Sequence, residues 1–158
     1  MSSDYFAEMY VAGRFADAGW NVYFPRRDKG FDFIVSRPTV DRMQLLRPVQ
    51  VKGKYPTSGK VDKDVYGYIG DLTQLHEDMV LAIPFFPSNA TGAVPTYVAY
   101  LPYSEISTQR SRGFACQPAK FSDGAAVPRR DYARFFDEAG LRLVEQLDWG
   151  KLTVSNAP

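Results

Sequence analysis

The sequence predicts a single α/β domain built on a central mixed β-sheet flanked by helices. Three observations lead there. An opening segment has apolar residues at helical spacing. Several short apolar or alternating runs after it read as strands. One helix followed by a strand meander, then further strands, is the element pattern of a layered α/β unit. The chain has 158 residues, enough for one domain with a real core.

The first helix is expected over Asp4 to Ala18, where Val11, Ala12 and Phe15 follow Glu8 at helical spacing. Gly19 is its natural stop. Trp20 to Phe24 alternates like a strand and Pro25 ends it. The charged turn Arg26-Arg27-Asp28-Lys29-Gly30 leads into Phe31-Asp32-Phe33-Ile34-Val35, a short apolar strand with an acid inside it. Ser36 to Leu46 reads as a looser polar connection. Arg47 to Gly53 reads as a buried strand carrying Gln50-Val51-Lys52. Lys54 to Asp64 is polar and suits a loop or twisted hairpin, and Asp71 to His76 reads as a short helix. Met79 to Phe86 and Pro95 to Leu101 form a strand pair joined by the turn residues of Pro87 to Gly92. After Pro102 the pattern turns to helix and loop. A helical extension is expected over about 102–150, with Tyr132 to Leu147 at helical spacing but interrupted by Gly140. Thr153 to Pro158 reads as a frayed tail.

Composition narrows the function classes. The formal charge is only +1, so whole-molecule steering toward a polyanion is weak, and any nucleic-acid contact must come from a local patch. Cys116 is the sole cysteine, which rules out a disulfide framework. The start of the chain lacks the basic-then-apolar pattern of a signal peptide. No apolar run approaches the roughly 20 residues of a membrane span, and a cytoplasmic location is expected. His76 is the only histidine, which argues against a zinc centre and against a Ser-His-Asp or Cys-His hydrolase. No phosphate-cradling glycine loop marks an NTPase or a dinucleotide enzyme.

One constellation carries chemistry. Residues two apart in a strand share a face, so Gln50 and Lys52 project together, and Asp32 on a neighbouring strand can meet them. Each residue alone has a structural reading. Glu8 serves equally as a surface helix residue. Asp32 can lie at a solvated edge, and Val-Gln-Val-Lys is a common amphipathic strand. The ordered set of four is what points to a site.

Glu8 on the first helix, Asp32 in Gly-Phe-Asp-Phe-Ile-Val, and Gln50-Val51-Lys52 together resemble the PD-(D/E)xK nuclease superfamily, which has the restriction-endonuclease-like fold. The resemblance spans about residues 4–101. The superfamily usually carries Asp or Glu where this chain has Gln50, and a Gln version occurs in some branches. The resemblance implies Mg²⁺- or Mn²⁺-dependent hydrolysis of DNA phosphodiesters. Asp32 would be the main carboxylate ligand, with the Gln50 amide oxygen and the Val51 backbone carbonyl beside it. Lys52 would orient or deprotonate the attacking water. Glu8 would act directly or through a water. A divalent cation offsets the substrate's charge and lowers the pKa of bound water, and Mg²⁺ favours oxygen ligands. Many DNA nucleases of this fold pair as homodimers to address two strands. Because Gln50 removes a ligand charge, a catalytically inactive relative that binds nucleic acid or a protein partner is the second reading; a structural or interaction domain in which the motif is coincidental is the third, expected if Glu8, Asp32 and Lys52 lie on different faces.

Basic residues flank the constellation. Arg26, Arg27 and Lys29 lie before it, and Lys54, Lys60 and Lys63 follow, placed to hold a phosphate backbone. Arg110, Arg112, Arg129 and Arg130 form a second basic zone. Tyr55, Tyr66 and Tyr68 are available for core packing or for stacking on bases.

Overall fold

The computed structural model describes residues 2–26, 30–56, 75–109 and 113–156. Helix α1 (Ser2–Asp17) forms because Ala7, Val11 and Phe15 recur every four residues and are fully buried. It ends in a Schellman arrangement: the Trp20 amide donates to the Phe15 carbonyl at 3.0 Å and the Gly19 amide to the Ala16 carbonyl at 3.1 Å. Gly19 takes a positive φ of 97°, which a side chain would resist. The Trp20 ring then packs edge-on against Phe15 at 5.9 Å, closing the helix end on an apolar contact.

Five strands follow in sequential order: β1 (Asn21–Tyr23), β2 (Phe33–Pro38), β3 (Gln44–Val51), β4 (Val80–Phe85) and β5 (Tyr97–Pro102). Neighbours are antiparallel except β3 and β4, which run parallel. The sheet is therefore mixed, as the sequence suggested. The backbone ladder continues past Val51, because the Lys52 amide bonds the Ala82 carbonyl and the Lys54 amide bonds the Pro84 carbonyl, each at 2.9 Å.

Register assigns the two faces. Phe33, Val49 and Val80 align across three strands, and Val51, Ala82 and Tyr100 align across three. Phe15 of α1 packs edge-on against both Phe33 and Tyr100, so α1 covers this face. The other face presents Gln50 and Leu81 in line, then Ile83 and Phe85, and is closed in part by Phe121 and Phe136.

Several elements differ from the sequence expectation. The region expected as a loose connection between Ser36 and Leu46 is a tight hairpin, with strands reaching Pro38 and resuming at Gln44. Arg42 turns the corner at φ 62°. Ser36 is buried while Leu46 is exposed, the reverse of what their polarity suggests, which disguised the pairing. The short helix expected at Asp71 to His76 falls mostly outside the described residues, and Leu75 and His76 are not helical.

The expected helical extension after Pro102 is largely β. It builds two hairpins, β6 (Ser107–Gln109) with β7 (Gly113–Ala115) and β8 (Ala119–Ser122) with β9 (Ala125–Pro128). Asp123-Gly124 forms the second turn with φ of 51° and 79°, the backbone a two-residue hairpin loop demands. The helix expected from Tyr132 to Leu147 is a 3-10 turn, Arg130–Phe135, followed by α2 (Asp137–Val144). Gly140 does not interrupt α2. A Cβ there would stand 2.2 Å from the Phe135 carbonyl oxygen, so glycine is what lets α2 close on the turn before it. Arg47 is almost wholly buried and fastens this segment to β3. Its guanidinium donates to the carbonyls of Val144 at 3.1 Å and Gln146 at 2.7 Å, where a helix C-terminus favours a cation. No described helix is long and apolar enough to cross a membrane.

Candidate active site

Strand β2 begins at Phe33, and Asp32 stands just before it, where the chain leaves β3. The Asp32 amide still bonds the Val49 carbonyl at 2.9 Å. Its carboxylate takes over where the backbone ladder stops. Oδ2 accepts the Val51 amide at 2.7 Å and the Gln50 Nε2 at 3.2 Å. Asp32 and Gln50 are 9% and 8% exposed, so the acid and the amide meet in the interior.

The contact with Asp32 fixes which way the Gln50 amide points, since the reversed amide would set two acceptor oxygens against each other. Gln50 Oε1 is thereby left buried with no hydrogen-bond partner among the described residues. A stranded buried carbonyl costs about 1–3 kcal/mol. Val51 adds a second oxygen. A strand residue directs its N–H and C=O to the same side. The Val51 amide points at Asp32, so its carbonyl faces that same gap between β2 and β3. A carboxylate and two neutral carbonyl oxygens form a hard-oxygen donor set, the kind Mg²⁺ and Mn²⁺ accept with only one or two carboxylates.

Lys52 is half-buried and continues the ladder beyond the pair. Alternation puts it and Lys54 on the face that Gln50 occupies. Burial first, and then the Lys52 charge, hold the Lys54 ammonium below its ordinary pKa. Glu8 is half-buried and shares the α1 stripe that faces the sheet. Ala7 beside it would touch a Cβ at Gly53 at 3.4 Å, which sets the start of α1 over the end of β3. The structure thus brings Asp32, Gln50 and Val51 into contact, with Lys52 following on the same strand. Glu8 approaches that end of the sheet from the opposite face. Among the described residues, no three His, Cys, Asp or Glu side chains gather at metal-ligand spacing.

The remaining candidates divide. Lys54 is half-buried near the site and Arg26 is exposed, whereas Arg27, Lys29, Lys60, Lys63, Tyr66, Tyr68, Arg110 and Arg112 lie outside the described residues. His76 is exposed, and its Nδ1 accepts the Asp78 amide at 3.0 Å, a local turn contact. Cys116 is buried, and burial pushes its thiol pKa well up, which removes it as a nucleophile. Sequence reasoning missed the splay of β2 at Asp32. A β-poor acid beside Gly30 was its one available signal. Compared with protein-family models, with curated proteins and with solved structures, the chain matches none.

Proposed function

We propose that this protein is a metal-dependent nuclease that hydrolyses DNA phosphodiester bonds at the end of β2 and β3. The observation that carries the reading is the buried, unpartnered Gln50 Oε1 held beside the Asp32 carboxylate. Such an oxygen is unfavourable unless something electropositive meets it.

Asp32, Gln50 Oε1 and the Val51 carbonyl would hold Mg²⁺ or Mn²⁺. The ion supplies charge neutralisation at the scissile phosphate and a more acidic water. The Lys52 ammonium stands next along the strand, where it orients that water and stabilises charge developing on the phosphate. Glu8, on α1 over the opposite face of the sheet, stands outside this donor set. Lys54, on the same strand, would hold the phosphate backbone beside it. The test is cleavage of single-stranded, duplex and branched DNA with Mg²⁺ or Mn²⁺. Asp32→Asn and Lys52→Ala are expected to abolish it, and a wild-type protein inert on all three substrates overturns the proposal.

A second reading, an inactive protein of this fold that binds nucleic acid or a protein partner, is favoured by one observation. Gln50 contributes no charge, so the pair presents a single carboxylate. Calorimetry with Mn²⁺ separates the two: DNA binding with no metal binding at millimolar concentration supports the second.

A further inference from the structure

The face of β1–β3 that turns away from α1 carries the candidate site at one end, and register sets it out in rows. Asp32 and Gln50 form one row, joined by their hydrogen bond. Tyr23, Ile34 and Pro48 form the next, in register across the three strands. Asn21, Ser36 and Leu46 form the third. Alternation keeps all three rows on one face, and Lys52 and Lys54 continue that face beyond Gln50. Rows stand about 7 Å apart and neighbouring strands about 4.8 Å, so the Tyr23 backbone lies about 8 Å from that of Asp32.

Two properties of this face point to a ligand. The solvated face of an antiparallel sheet is ordinarily polar, yet Tyr23 is 57% exposed, Ile34 41% and Leu46 54%. Charge is also confined to one end. Among the described residues on this face of β1–β3 and their extensions, only Asp32, Lys52 and Lys54 are charged, and the second and third rows carry no charge. A single nucleic-acid strand divides in the same way, with phosphate suited to the charged end and base and sugar to the apolar rows. A duplex laid here would set phosphates on Ile34, Pro48 and Leu46, where no cation meets them. An unpaired strand instead offers a base to the Tyr23 ring, the use that sheet-borne aromatics serve in single-strand binding. We infer that the Tyr23–Ile34–Pro48 row is a platform for the unpaired nucleoside next to the scissile phosphate, so that the substrate is single-stranded at that point. The inference rests on the nuclease reading, which puts the phosphate at Asp32, Gln50 and Lys52.

The test uses the full chain in EDTA, so that binding is measured without cleavage. Three ligands are compared: a short single-stranded oligodeoxynucleotide containing 2-aminopurine, the same backbone with every base removed, and the duplex. The wild type is expected to bind the base-carrying single strand about tenfold more tightly than the other two and to quench 2-aminopurine. Tyr23→Ala is expected to bring that preference toward one, and Tyr23→Trp to keep it. Tyr23 is exposed on an edge strand, so both variants should melt with the wild type. Equal affinity of the wild type for all three ligands overturns the inference, as does a preference that survives Tyr23→Ala. A wild type that sediments as a dimer, and as a monomer once Tyr23 is replaced by Ala, gives the face to a second copy and also overturns it. Failure of the two proposals is distinguishable on adding Mg²⁺. Base preference without cleavage on any substrate overturns the nuclease reading alone, and cleavage without base preference overturns the platform alone.

Discussion

Replacing Gln50 by Glu tests the site without reference to substrate. The amide donates to Asp32 Oδ2 at 3.2 Å. Glu puts a second carboxylate at that distance, in a place where both residues are over nine-tenths buried. At an effective dielectric of about 20, two unit charges 3.2 Å apart repel by about 5 kcal/mol. The protein avoids part of this by keeping one proton on the pair. At pH 7 that route costs about 3.7 kcal/mol for a carboxyl of ordinary pKa near 4.3, so the proton stays and sets the penalty. At pH 5 the same route costs only about 1 kcal/mol. The sign follows from a carboxyl pKa raised in the folded state. The deficit is absent below the unfolded value and grows as pH rises toward the folded one. For a chain of this size, Gln50→Glu should lower the melting temperature by about 10 °C at pH 7 in EDTA, and by only a few degrees at pH 5. Millimolar Mn²⁺ should restore most of the loss, and should raise the variant's melting temperature more than the wild type's. Differential scanning fluorimetry across pH, with and without Mn²⁺, reads all of this. An unchanged melting temperature in EDTA refutes the buried pairing. A loss that Mn²⁺ does not relieve refutes the metal centre.

Other substitutions probe the frame around the site. Asp32→Ala strands the Val51 amide and the Gln50 amide donors, at about 1–3 kcal/mol each, so chemical denaturation should show it markedly less stable than Asp32→Asn. Arg47→Met removes the donors to Val144 and Gln146 and should lower stability by about 3 kcal/mol, measured by urea unfolding. Gly140→Ala should be among the most damaging single-methyl changes, about 3 kcal/mol, because its Cβ meets a backbone oxygen that cannot rotate away. Lys54 has a lowered pKa in the folded state, so wild-type stability should rise with pH between that value and about 10.4, and Lys54→Met should lack the rise in a melting series above pH 8.

The sheet was legible where burial is two-sided or one-sided in a regular way. Val80–Phe85 is apolar on both faces and was readable as a strand from end to end. Helix α1 was readable because Ala7, Val11, Ala12 and Phe15 mark its buried stripe. The β2–β3 hairpin was not, because Ile34 and Leu46 are exposed while Ser36 and Arg47 are buried, which inverts the usual code. Arg47 illustrates the cause: its burial is set by carbonyls 97 and 99 residues away. The β8–β9 hairpin did carry a local signal. Asp123-Gly124 between alternating residues is a strong two-residue turn motif, and the expectation of helix after Pro102 passed over it. Within the candidate site, the pairing of Asp32 with Gln50 followed from strand alternation. The capture of the Val51 amide by Asp32 did not, since it depends on where two strands part.

That last contact bears on why the site has an amide at position 50. With Glu there, the two side chains would repel until a cation arrived, and the site would assemble only around it. With Gln, Asp32 and residue 50 are already joined by a hydrogen bond, and Val51 holds the carboxylate from below. In the proposed metal centre the donor oxygens would therefore be set in place beforehand, which would lower the ordering cost of binding. The same substitution removes a full charge from the ligand set, which lowers the attraction for a divalent ion. The second effect is the larger, since one carboxylate at contact outweighs the ordering of a single side chain. A wild-type centre of this kind should bind Mn²⁺ weakly and with little structural change, whereas Gln50→Glu should bind it more tightly with a larger gain in stability.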